Sequence, residues 1–165
     1  MNIIIQATLK NLVRTKNILS IISDEHLSSS SIPPYYSSIG SHIRHILDFY
    51  DCMLVNSNMI DLTARKRQTE VENNCKKALE YYSEIFNKIS KLEENDLNRM
   101  VIVTDDLGLG NTEIKYTFSS LLAQANSHTT HHYAIINYIL EGLELGVNDE
   151  SFGYNPTTPK AKILN

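Results

Sequence analysis

The chain has 165 residues, 42% hydrophobic and 21% charged, which fits one globular domain over residues 1–165. A formal net charge of -4 and a pI near 5.8 exclude the broad basic surface of a nucleic-acid binder, and the run Arg65-Lys66-Arg67 is too short to alter that. Two cysteines without a C-x-x-C spacing, no basic n-region at the start and no window near the roughly 18 apolar residues of a membrane span point to a cytoplasmic protein with reduced thiols and no membrane partner.

All four prolines fall at 33, 34, 156 and 159, so long stretches are free of that helix breaker. Residues 2–22 carry Ile5, Leu9, Leu12, Ile18 and Ile22 at helical spacing and predict a first helix. Ser28 to Pro34 reads as a loop. A second helix is predicted from a cap at Ser37 or Ser38 to about Asn58, through Ile39, Ile43, Ile46, Leu47, Tyr50 and Leu54. Residues 60–69 lack a clear period and read as a connector. A third helix fits 70–94, with Val71, Cys75, Ala78, Tyr82, Ile85 and Ile89 in its stripe. Val101-Ile102-Val103 and Ile114 to Phe118 flank a polar loop with Gly108 and Gly110, the pattern of a small β-hairpin or extended excursion. That loop lacks the third glycine of a dinucleotide fingerprint and the Gly-Lys of a P-loop, so turn chemistry explains it. A fourth helix is expected from Ser119 to Leu143, with the segment around Phe152-Gly153-Tyr154 packed over it. Four long helices predict an all-α four-helix bundle with the hairpin between helices three and four.

Five of the six histidines form two clusters, His42 with His45 and His128 with His131 and His132. Leu121, Ala125, His128, His132, Ile135, Ile139 and Leu143 share one helical stripe, which places His128 and His132 toward the core. A buried imidazole without a partner costs on the order of 1–3 kcal/mol, and a shared metal would satisfy both rings at once. Separate hydrogen bonds to carbonyls or tyrosines are the alternative. In the first cluster, periodicity sets His42 closer to the core than His45, so by spacing alone His42 is the better third ligand.

Ser38-Ile39-Gly40-Ser41-His42-Ile43-Arg44-His45-Ile46-Leu47-Asp48-Phe49-Tyr50, with Ser127-His128-Thr129-Thr130-His131-His132-Tyr133-Ala134-Ile135-Ile136, resembles the DinB-like (DinB/YfiT) superfamily. Ala64 to Gln68 followed by Val71 to Asn74, and Phe152 to Thr158, are similar to a linking segment and a tail of one branch. The resemblance implies a four-helix bundle with a three-histidine metal site. The superfamily's first ligand falls seven residues after the serine opening helix two, here His45, and its H-x-x-x-H pair falls on His128 and His132. His42, Arg44, Asp48 and His131 then become candidates to orient those ligands or contact a substrate. The resemblance also implies a homodimer.

Three neutral imidazoles suit Zn, Ni or Fe and leave the ion its full charge, enough to lower the pKa of a bound water toward about 7 or to hold a low-molecular-weight thiol as its thiolate. Thiol-dependent transferases and isomerases occur in the superfamily, so a transferase, or a hydrolase, of an unknown small molecule is the activity implied. H-T-T-H-H lacks the glutamate of a zincin, and no Glu-x-x-His occurs for a di-iron bundle. No catalytic side chain is assigned: Asp48 is the least poor general base, Tyr50 or Tyr133 could supply a hydroxyl, and Cys52 and Cys75 read as structural. The competing expectation is a non-catalytic metal-binding protein with a structural, sensing or interaction role.

Overall fold

The computed structural model describes residues 2–159. Its helices are α1 (Ile3–Leu19), α2 (Asp24–Ser28), α3 (Ile39–Met53), α4 (Thr69–Asn73), α5 (Cys75–Ser90), α6 (Glu94–Asn98) and α7 (Phe118–Gly142). Its strands are β1 (Met59–Asp61), β2 (Met100–Asp106) and β3 (Asn111–Thr117). The all-α expectation is therefore wrong: among the described residues seven helices accompany a three-stranded mixed sheet, 56% helix and 11% strand of those residues, which is an α/β mix. Among the described residues no helix is long and apolar enough to cross a membrane.

The extra strand comes from the connector. Met59 and Asp61 are exposed while Ile60 and Leu62 are buried to 1%, a period of two too short to stand out in sequence. β1 runs parallel to β2 with Ile60 opposite Val103, and β2 pairs antiparallel with β3, Val103 opposite Ile114. Val101 and Val103 are buried with Ile60 and Leu62, so one face of the sheet joins the helical core. The antiparallel pair lies where the sequence places a hairpin; the third strand is what it misses.

Two helix boundaries also move. α3 stops at Met53 rather than near Asn58, because Leu54 leaves the helical region at φ -87, ψ 28. The expected helix over 70–94 breaks at Asn74, which is extended at φ -140, ψ 114 and turns its side chain back to accept from Lys77 N. Asparagine suits that role because its short amide can satisfy a free helix N–H. The start of α3 follows expectation: Ser38 accepts from Ser41 N.

α1 packs against α5 and α7, and α3 packs against α5 and α7. Leu12, Ile39, Ile43, Leu47, Tyr50, Ile85, Ile89, Leu122, Tyr133 and Ile136 between them are fully enclosed. The C-terminal segment closes one side, with Phe152 buried and its ring 5.0 Å from that of Tyr133. Gly153, at φ 77, lies so close to the Ala134 backbone that a Cβ would collide with it.

Gly40 fixes how closely α4 approaches the first turn of α3, since a Cβ there would run into the Glu72 carbonyl. Backbone against backbone leaves nothing flexible to yield. Gly40→Ala is predicted to lower unfolding free energy by about 1–3 kcal/mol in denaturant titration. Gly146→Ala, which meets open space, should change it by less than about 0.5 kcal/mol.

Candidate metal centre

α3 and α7 face each other with opposite chain directions, so His42 meets His132 and His45 meets His128 one turn along. Residues three or four apart share a helix face, which brings all four rings into one row between the helices. His45 Nε2 lies 2.8 Å from His128 Nε2, and His132 Nε2 lies 3.1 Å from the same atom. One ligating atom from each of His45, His128 and His132 falls within 4.8 Å of the others, and among the described residues this group holds no carboxylate or thiol. Two nitrogens bound at 2.0–2.1 Å to one tetrahedral ion stand about 3.3 Å apart. The three rings are thus close to the spacing a single ion requires, and they fit one.

Each ring has a second partner. His42 Nδ1 is 2.8 Å from His132 Nδ1, and His42 Nε2 is 2.7 Å from Ser37 Oγ. Arg65 Nη1 donates to His45 Nδ1 at 3.0 Å while its Nε donates to the Leu62 carbonyl. The Phe49 ring stacks obliquely on His128, centroids 5.0 Å apart, and forms an apolar wall. His131 is exposed, its ring 6.4 Å from that of His128.

His128 is half-buried and His132 lies at the boundary between half-buried and buried, neither at the centre of the core stripe. α7 turns Thr129 and Tyr133 inward instead. Thr129 Oγ1 donates to Tyr50 Oη, and the Tyr133 hydroxyl lies 2.7 Å from Thr15 Oγ1. Hydroxyl pairs let polar residues occupy the core line, and a hydropathy pattern does not see such pairs. The result leaves the histidines at the edge of the core, partly open to solvent.

The remaining sequence candidates point elsewhere. Asp48 is 1% exposed, and its carboxylate accepts from Arg44 Nη1, Tyr81 Oη and Arg67 N. Arg44 also pairs with Glu72. Both side chains tie α3 to α4 and α5, and neither forms a hydrogen bond to a histidine. Tyr50 and Tyr133 are enclosed, and burial pushes their hydroxyls above the ordinary tyrosine range. Burial likewise pushes the Cys52 and Cys75 thiols up to about 11, far from nucleophilic thiolates. Arg65, Ser37 and Phe49 contact the histidines without being marked as site residues by the sequence. Arg65 sits in an irregular connector without periodicity, so only its charge could have drawn attention to it.

Burial is the first cause that holds these imidazoles neutral. It lowers His45 to about 3, with Arg65 and His128 adding to the effect, and His132 to about 2, with His128 and His45 adding. His42 and His128 are also lowered, by burial and then by His131, and Asp105 opposes this at His128. Neutral rings keep a lone pair for a metal at neutral pH. Comparison with family models, curated proteins and solved structures finds no match for this chain.

The lowered values carry a stability consequence in the metal-free protein. Between about pH 6.5 and 3 the unfolded chain binds more protons at these rings than the folded one, so stability falls as pH falls. Denaturant unfolding of metal-free protein at pH 7 and pH 4.5 should show that loss. A His45→Gln, His132→Gln double variant should lose less between the same two pH values; an equal loss would contradict neutral burial of these rings.

Proposed function

We propose that the chain is a divalent-metal protein of DinB-like type, with Zn, Ni or Fe held by His45, His128 and His132. Within that reading it acts on a small molecule as a thiol-dependent transferase or as a hydrolase. The observation that carries the proposal is the convergence of ring nitrogens from two helices without a fourth protein ligand among the described residues. Three ligands leave coordination positions open, which is the arrangement of catalytic rather than structural sites. The resemblance of the two histidine segments supports the class of chemistry.

When bound, such an ion supplies Lewis acidity and lowers the pKa of a water or thiol ligand. The chain's own residues do the positioning. His42 engages His132 at Nδ1 and so sets the tilt of that ring, as outer partners of ligating histidines do. With Ser37 Oγ at its other nitrogen, His42 is also the side chain placed to hold a proton beside the site. Phe49 keeps water from one side of His128. Asp48 and the two cysteines take no part, the first being committed to Arg44 and Tyr81 and the others being half-buried neutral thiols.

A second reading, a non-catalytic metal-binding protein with a structural or sensing role, draws on His42. Its ring centroid lies 5.1 Å from that of His132, near enough that a ring rotation could bring a fourth imidazole to the ion and close the shell.

Metal content of untagged protein, measured by mass spectrometry, separates these. About one ion per chain is expected, lost in His45→Ala, His128→Ala and His132→Ala while circular dichroism stays native. His42→Ala should retain the ion with affinity reduced roughly 10–100-fold. Full metal content in both His128→Ala and His132→Ala would sink the assignment. Complete loss in His42→Ala would favour the closed, non-catalytic site.

A further inference from the structure

Arg65 is the cation in hydrogen-bond contact with the trio, and no carboxylate among the described residues forms an ion pair with it. The neighbouring cations differ in this respect. Arg44 is committed to Asp48 and Glu72, and Lys66 to Asp51. A guanidinium carries five N–H donors and no acceptor. Nε is used on the Leu62 carbonyl and Nη1 on His45 Nδ1, and no hydrogen bond of Nη2 is found among the described residues. The side chain is half-buried.

The contact with His45 is of an unusual kind for a ligating histidine. Such rings ordinarily donate their second N–H to a carbonyl or carboxylate. Arginine can only donate, so His45 Nδ1 here must accept, and its proton sits on Nε2. A neutral His45 that gives its Nε2 lone pair to a metal carries its proton on Nδ1, where it would face an arginine N–H. Two donors cannot share that contact. Metal loading therefore frees Nη1, while Nε stays anchored to Leu62, which is buried and tied to the sheet through Leu62 N to the Thr104 carbonyl. The freed edge, Nη1 with Nη2, is the planar fork that matches an oxyanion.

Charge leads to the same conclusion. A guanidinium beside a divalent ion is repelled by it unless an anion lies between. From this geometry we propose that Arg65 and the metal together form a two-point site for an oxyanion, so that the small molecule taken by this protein carries a carboxylate or phosphate group. The inference rests on the metal reading above and adds the substrate's charge to it.

The test uses zinc-loaded full-length protein, native and with Arg65→Gln or Arg65→Lys, each checked for zinc per chain before titration. Inorganic phosphate and acetate are titrated separately by calorimetry, so that the two arms tell a phosphate site from a carboxylate site. The proposal expects zinc to be retained in all three proteins and at least one anion to bind the native form. It expects roughly tenfold or greater weakening in Arg65→Gln, the loss of one or more charge-assisted hydrogen bonds, and partial recovery in Arg65→Lys. Equal anion affinity in native and Arg65→Gln protein, with zinc present in both, would overturn it and leave the metal site standing. Zinc lost from Arg65→Gln alone would make Arg65 a support of His45 and overturn it as well. Failure of the native protein to take up zinc would refute the metal reading itself.

Discussion

The antiparallel contact of α3 with α7 is the constraint on which the site depends. It aligns His42 with His132 and His45 with His128, and a slide of one helical turn, about 5.4 Å, would separate both pairs. The register is held on several sides. Tyr50 Oη meets Thr129 Oγ1 in the core, Phe49 lies against His128, and Ile43 and Leu47 are fully enclosed beside them. At the start of α3, the missing side chain of Gly40 lets α4 seat against it, and Arg44 then reaches Glu72 and Asp48 together. Apart from Phe49, which lies against the His128 ring, these groups act at a distance from the converging nitrogens, and each limits where the rings can go.

Within that frame, a cation would compete with protons for the same lone pairs. Each close Nε2 contact has room for one shared proton when no ion is bound, and burial keeps the rings from taking up more. The same burial that disfavours imidazolium leaves the nitrogens available to an ion. A site deeper in the core would exclude any substrate, and a fully exposed one would be protonated more readily. The half-buried edge, produced by Thr129 and Tyr133 turning inward, avoids both limits.

Much of this was legible in sequence because histidine spacing and capping are local. The i, i+4 pair at His128 and His132, the cap at Ser38 and the β-bearing segment after residue 99 depend on neighbours within a turn or two. What was not legible depends on partners distant in the chain. β1 exists because Ile60 meets Val103, more than forty residues away, and four residues of alternation do not announce a strand. The rotation of α7 depends on Tyr50 and Thr15 supplying hydroxyl partners, which made a polar face the core face. Periodicity favoured His42 over His45; in the folded chain His45 joins the converging nitrogens while His42 meets the far side of His132. Arg65 reached the site from a connector whose path no local pattern describes.

In the proposed site His45, His128 and His132 bind one ion and leave part of its shell open. X-ray absorption spectroscopy on zinc-loaded protein reads that shell, since imidazole scattering is distinct from that of water or carboxylate. Three imidazole nitrogens at about 2.0–2.1 Å are expected, together with a non-histidine ligand such as a water oxygen. A shell of oxygen atoms without imidazole scattering, or one closed by four imidazoles, would contradict it.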